Sequence, residues 1–112
     1  MRALCLGALV ATVLAAATAG NAALRPRLTI VRADPATLQG RLFRVGDAVR
    51  IRLVMDDRSW TRSTHAGRTG GFVVSFAGVR LRYCGVQLTI SARGARSGTV
   101  YAKLPVVECP AP

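Results

Sequence analysis

The chain has 112 residues, and its sixteen arginines and lysines outweigh five acids to give a net charge of +11. One domain is all that such a length supports. A single histidine and the two cysteines that lie 25 apart beyond the N-terminal run are too few to close a structural zinc site, and five acids offer little from which to assemble a convergent carboxylate pair.

In chain order, Met1 and Arg2 precede an uncharged run over residues 3–24 whose apolar part holds Leu4, Leu6, Leu9, Val10, Val13 and Leu14. A positive start, a short apolar stretch and then small residues are what an export signal needs. Ala17-Thr18-Ala19 supplies an A-x-A cleavage site, so residues 1–19 read as a signal peptide; Gly20-Asn21-Ala22 and Asn21-Ala22-Ala23 allow cleavage as late as residue 23. An uncleaved membrane anchor is the competing reading, since about 20 uncharged residues span a bilayer. Against it, the alanine, threonine and glycine of the second half insert poorly. Cleavage removes Cys5 and leaves Cys84 and Cys109, an even pair that an oxidising compartment joins as a disulfide. The expectation is a protein secreted or held in the extracytoplasmic cell envelope, with one domain over residues 24–112.

The rest of the chain shows period two and turn residues, with almost nothing of helical period. Leu28 and Ile30 alternate with Thr29 and Val31; Val49, Ile51 and Leu53 alternate with Arg50 and Arg52; each reads as a half-buried strand. A further strand is expected around Trp60 to His65. Phe72, Val74 and Phe76 then alternate with Val73 and Ser75, and Val79, Leu81 and Tyr83 with Arg80 and Arg82. Val86, Leu88, Ile90 and Ala92 alternate with Gln87, Thr89, Ser91 and Arg93, and Val100, Ala102 and Leu104 with Tyr101 and Lys103. Turns fall at Gly46-Asp47, Asp56-Asp57, residues 67–71, Gly78, Gly85 and residues 94–98. Six or seven short strands spaced this way predict an antiparallel sandwich or barrel. The tail from Pro105 to Pro112 is too rich in proline for a central strand, and Cys109 is expected to fasten it back near Cys84.

The stretch from Gly40 through Phe43, Gly46-Asp47 and Val49, Ile51 and Leu53 resembles the G-x-x-F-x-x-G-[DE]-x-V-x-V-x-L pattern of secreted bacterial immunoglobulin-like domains. About twenty residues on, Gly71-Phe72-Val73-Val74-Ser75-Phe76 is similar to the strand that follows in those domains; Val45 stands where they often carry proline. The resemblance implies an all-β, immunoglobulin-like sandwich of about seven strands after the signal peptide, and its matching residues are structural ones that say little about activity. The end of the chain, from Cys84 through Gly94 to Leu104, is also similar to the end of the chromoprotein apoproteins related to neocarzinostatin, which hold a small ligand.

Catalysis finds little support. Any serine nucleophile has only His65 as its base, and the nearby Ser59, Ser63, Asp56 and Asp57 form no recognisable motif. No glycine-rich loop meets a helix, so nucleotide chemistry is not expected. The sequence therefore predicts neither an enzyme nor a cofactor or metal site. Charge is the unusual property: loss of Arg2 takes +11 to +10, and that field attracts anionic partners. Arg50, Arg52, Arg80 and Arg82 share the outward parity of two strands and are the candidate contacts for such a partner. Arginine outnumbers lysine 15 to 1, which also fits codon bias, although bias does not explain the scarcity of acids. Nucleic acid is disfavoured because aromatics are not interleaved with the basic residues; Trp60, beside Arg58 and Arg62, reads as a core residue. A membrane is a partner only if the signal stays uncleaved.

Three functions follow in order of expectation. The first is a non-catalytic exported module with a structural or protein-binding role at the cell envelope or in the medium. The second is an electrostatic binder of anionic envelope polymers or membranes through a basic sheet face, and the third is a small-ligand carrier with a cleft between its sheets.

Overall fold

The computed structural model describes residues 25–111; the expected signal peptide and its cleavage sites lie outside them. Seven strands form: β1 (Arg27–Ala33), β2 (Ala36–Arg41), β3 (Ala48–Met55), β4 (Arg58–His65), β5 (Phe72–Phe76), β6 (Leu88–Gly94) and β7 (Gly98–Tyr101). They build two antiparallel sheets, β1-β2-β5 and β4-β3-β6-β7, whose apolar faces meet in a single core. The all-β architecture expected from period two is the one observed.

β3 shows why the pattern works. Val49, Ile51 and Leu53 point inward at no more than 2% exposure while Arg50 and Arg52 point out, and branched side chains suit the pleat. β5 follows the same rule, with Phe72, Val74 and Phe76 buried, as does β6 with Leu88, Ile90 and Ala92. The strand around Trp60 to His65 is β4, an edge strand whose Trp60 packs half-buried against the core. Asp56 and Asp57 make the β3–β4 turn; Asp56 takes φ +53°, a conformation aspartate tolerates better than most residues.

Three expectations need correction. β2 was not anticipated, because its inward residues are Ala36, Leu38 and Gly40, and two of those three are too small to mark an apolar period. The space is taken from the partner strand: the Phe72 ring lies where a Gly40 Cβ would be, and it packs edge-on against Phe43 with centroids 5.1 Å apart. Conversely, residues 79–83 alternate in burial but join no ladder. Instead Val79 accepts from the Ala36 N–H and the Leu81 N–H donates to Ala33, so the segment braces the β1–β2 turn rather than adding a strand. The last two strands are also displaced: β6 starts at Leu88 rather than Val86, and β7 ends at Tyr101, with the buried Ala102 continuing by one N–H bond to the Ile90 carbonyl.

Two features tie the loops down. Cys84 and Cys109 form a disulfide, Cα atoms 5.6 Å apart across 25 residues of sequence, which points to an oxidising, extracytoplasmic compartment. Asp47, 1% exposed, accepts from the Ser97 hydroxyl at 2.6 Å, from the Ser97 N–H at 2.9 Å and from the Arg96 N–H at 3.0 Å. Its own carbonyl accepts from the Ala66 N–H. One buried residue thereby joins the start of β3 to the β6–β7 turn and to the end of β4. Gly94 is required beside it, because a Cβ there would lie 2.5 Å from an Asp47 oxygen.

The Ser97 hydroxyl is the largest influence on the Asp47 carboxyl and holds it below the ordinary carboxylate range; burial opposes this, and the Arg96 and Ser97 N–H groups and the Arg96 guanidinium reinforce it. A depressed folded-state value means that the stabilisation is complete above the unfolded value of about 3.9 and disappears as pH falls through the lower folded value. Acid scans should therefore show stability falling below about pH 4, and Asp47→Asn should flatten that fall while lowering the neutral-pH Tm by several degrees. Replacing both cysteines by serine should cost about 3.5 kcal/mol in guanidinium unfolding, the chain-entropy value for a loop of this size.

Candidate functional site

The outer face of the four-stranded sheet carries the feature that composition foreshadowed. Side chains directly opposite in an antiparallel pair share a face, and register sets them in rows. In one row Ser63 of β4, Arg50 of β3, Arg93 of β6 and Thr99 of β7 stand side by side; in the next, Thr61, Arg52, Ser91 and Tyr101. A third row holds Ser59, Val54 and Thr89. Three guanidinium groups thus sit among hydroxyls, with Arg50 and Arg52 about 7 Å apart along one strand and Arg93 about 5 Å across from Arg50 at the backbone.

None of the acids lies on this face. Asp47 is buried at its corner, Asp56 and Asp57 occupy the β3–β4 turn, Asp34 the β1–β2 turn and Glu108 the tail. Among the described residues the one ion pair is Arg96 with Asp47, Nε to Oδ1 3.7 Å. Arg50 and Arg93 are therefore like charges in register, an arrangement that destabilises a sheet by roughly 0.2–1 kcal/mol. An open hollow of about 320 Å³ lies at this corner, lined by Arg50, Arg93, Ser63, Thr64 and His65 among others. Guanidinium groups donate in a planar fork matched to phosphate, sulfate and carboxylate oxygens, and neighbouring hydroxyls add neutral donors.

Of the four arginines expected to act together, Arg50 and Arg52 share this face; Arg80 and Arg82 do not. The latter are exposed on the segment that braces the β1–β2 turn, and they line an end cleft of about 300 Å³ with Arg58, Trp60, Asp56 and Asp57. There Arg58 stacks on Trp60, 5.2 Å from the ring centroid, and acids share the space with the cations. Arg93 was missing from the candidate set. Its outward parity was legible, but its position opposite Arg50 follows only from the register of β6 on β3.

His65 ends β4 on the same outward parity as Ser59 and Ser63, whereas Asp56 and Asp57 lie beyond the other end of that strand, about 26 Å or more away along an extended strand. These groups do not converge. Among the described residues no three His, Cys, Asp or Glu side chains gather as metal ligands, and no helix is long and apolar enough to cross a membrane. The space between the sheets is filled by Leu38, Ile51, Leu53 and Ile90, all buried.

No protein-family model matches the chain, and neither a curated protein nor a solved structure shows significant similarity to it.

The like-charge row makes its own forecast. Arg93→Thr, which leaves a branched residue on the strand, should raise unfolding stability by roughly 0.2–1 kcal/mol at low ionic strength. Added salt should stabilise the parent chain more than the variant, because screening relieves a repulsion that only the parent has.

Proposed function

We propose that the chain is a non-catalytic, extracytoplasmic immunoglobulin-like module that binds an anionic polymer of the cell surface or envelope across the outer face of its four-stranded sheet. The first, second and fifth strands face the third, sixth and seventh, the division of A, B and E against C, F and G in an immunoglobulin sandwich. β4 departs from the constant-type arrangement by pairing with β3 rather than β5.

The observation that carries the proposal is the acid-free row in which Arg50 opposes Arg93, with Arg52 one step along the strand. Two cations held in register at a cost to folding are compensated when an anion lies between them. A flat sheet face with three arginines and a fringe of serine and threonine suits a repeating polyanion better than a small molecule, since it offers many weak contacts and no enclosure. The net charge of +11 supplies long-range attraction, and the row of guanidiniums supplies a place for the polymer to lie.

Long-chain polyphosphate is a suitable probe. Binding should weaken steeply with salt as counterions released on association are restored, and Arg50→Gln, Arg52→Gln and Arg93→Gln together should lower the slope of log K against log salt by about 2 to 3. The matched control replaces Arg68, Arg80 and Arg82, which removes the same charge from other surfaces. Equal losses from the two triple variants would assign binding to the general field and refute a defined face.

A further inference from the structure

The two flanks of the sandwich are unlike. On one, β4 and β5 lie side by side and the Arg62 Nη1 donates to the Ser75 carbonyl at 2.8 Å, stitching the sheets together. On the other, β1 and β7 do not pair, and an open groove of about 780 Å³ runs along the whole of β1, with β7 and the start of the tail as its second wall.

Three properties of this groove coincide. Its lining is apolar: Ile30 and Val100 are half-buried, and Val31, Tyr101, Leu104 and Val106 are 56, 65, 37 and 100% exposed. Those four are half of the large apolar side chains the described surface exposes, so the exposed apolar surface is concentrated rather than scattered. Second, β1 is an edge: β2 takes one side of its backbone, and among the described residues the Ala33 carbonyl alone is engaged outside that pairing, by the Leu81 N–H. A free strand edge is a template for another strand. Third, the charged groups lining the groove are Arg27, Arg32 and Lys103, with no acid among them.

We infer that this groove receives an extended segment of another protein, in which acidic and apolar residues alternate, by strand addition to β1. The backbone edge supplies hydrogen bonds, the apolar floor takes alternate side chains, and the basic rim takes the acidic ones. Shape favours a strand over a compact ligand, because the groove follows seven residues of β1, about 23 Å. Charge disfavours a second copy of this chain, which brings Arg27 and Arg32 of its own against the same rim. Tyr101 is the one residue this surface shares with the arginine face of the other sheet; none of Arg50, Arg52 and Arg93 lines the groove, so the inference stands independently of the polymer-binding proposal.

The test uses a fluorescent heptapeptide of alternating glutamate and valine, titrated into the disulfide-bonded protein at moderate salt. Binding is expected, with amide-exchange protection appearing over residues 27–33. N-methylation of every second peptide amide should weaken it at least tenfold, as should Val31→Glu combined with Val106→Glu, exposed substitutions whose unchanged Tm confirms folding. The variant lacking Arg50, Arg52 and Arg93 should bind the peptide normally. No binding, equal binding of polyglutamate or of the N-methylated peptide, protection on β3 and β6 instead of β1, or a dimer that forms without peptide would each overturn the inference.

Discussion

The buried carboxylate of Asp47 is the constraint on which the working surface depends. It sits where the chain enters β3 and receives donors from the β6–β7 turn, while its backbone carbonyl receives the N–H that follows β4. Three of the four strands that build the arginine face are thus indexed against one another at a single corner. A slip of β6 by one residue would turn every one of its side chains to the opposite face, exchanging Arg93 for Ala92 on the surface. The register that opposes Arg50 to Arg93 is unfavourable in itself, so the apolar core and this corner must hold it. Ser97 does so at short range, and Gly94 leaves the room it needs.

How much of this was legible in the sequence depended on side-chain size. β3, β5 and β6 announce themselves because most of their inward positions carry Val, Ile, Leu or Phe, and parity correctly separates core from surface along each. β2 obeys the same parity with Ala36 and Gly40, and a small residue in a strand looks like loop until the partner that fills its space is known. Phe72 is that partner, reached only through the β2–β5 register. Residues 79–83 fail in the other direction: Val79 and Leu81 are buried like strand residues, yet their backbone groups go to Ala33 and Ala36 at a turn. Periodicity reports which side chains face the core, and says nothing of where the amides find partners.

The arginines show the same limit at the level of the site. Parity placed Arg50, Arg52, Arg80 and Arg82 outward, and all four are exposed. It could not say that the two pairs belong to different surfaces, since facing outward is a local property and sharing a face is a property of topology. Arg93 carried an equally legible parity and became informative only once β6 lay beside β3. The disulfide is the converse case: with Cys5 assigned to the signal, pairing Cys84 with Cys109 needed no topology at all.

Positive charge alone selects weakly among anions, because the field of a chain at +11 reaches every acidic molecule within a Debye length, about 8 Å at physiological salt. Discrimination has to come from what surrounds the cations. On the outer sheet face the surroundings are chiefly hydroxyls, with Val54 and Tyr101 the apolar members, so a hydrated polyanion loses little by lying there. Beside β1 the surroundings are Val31, Tyr101, Leu104 and Val106 with a free backbone edge, which return free energy only to a partner that brings apolar side chains and amides of its own. Under the two proposals, the same excess of arginine over acid would serve two recognitions, separated by the non-ionic groups that the fold places next to each cluster. The sandwich keeps them apart by putting one on the broad face of a sheet and the other along the flank that its strands leave open.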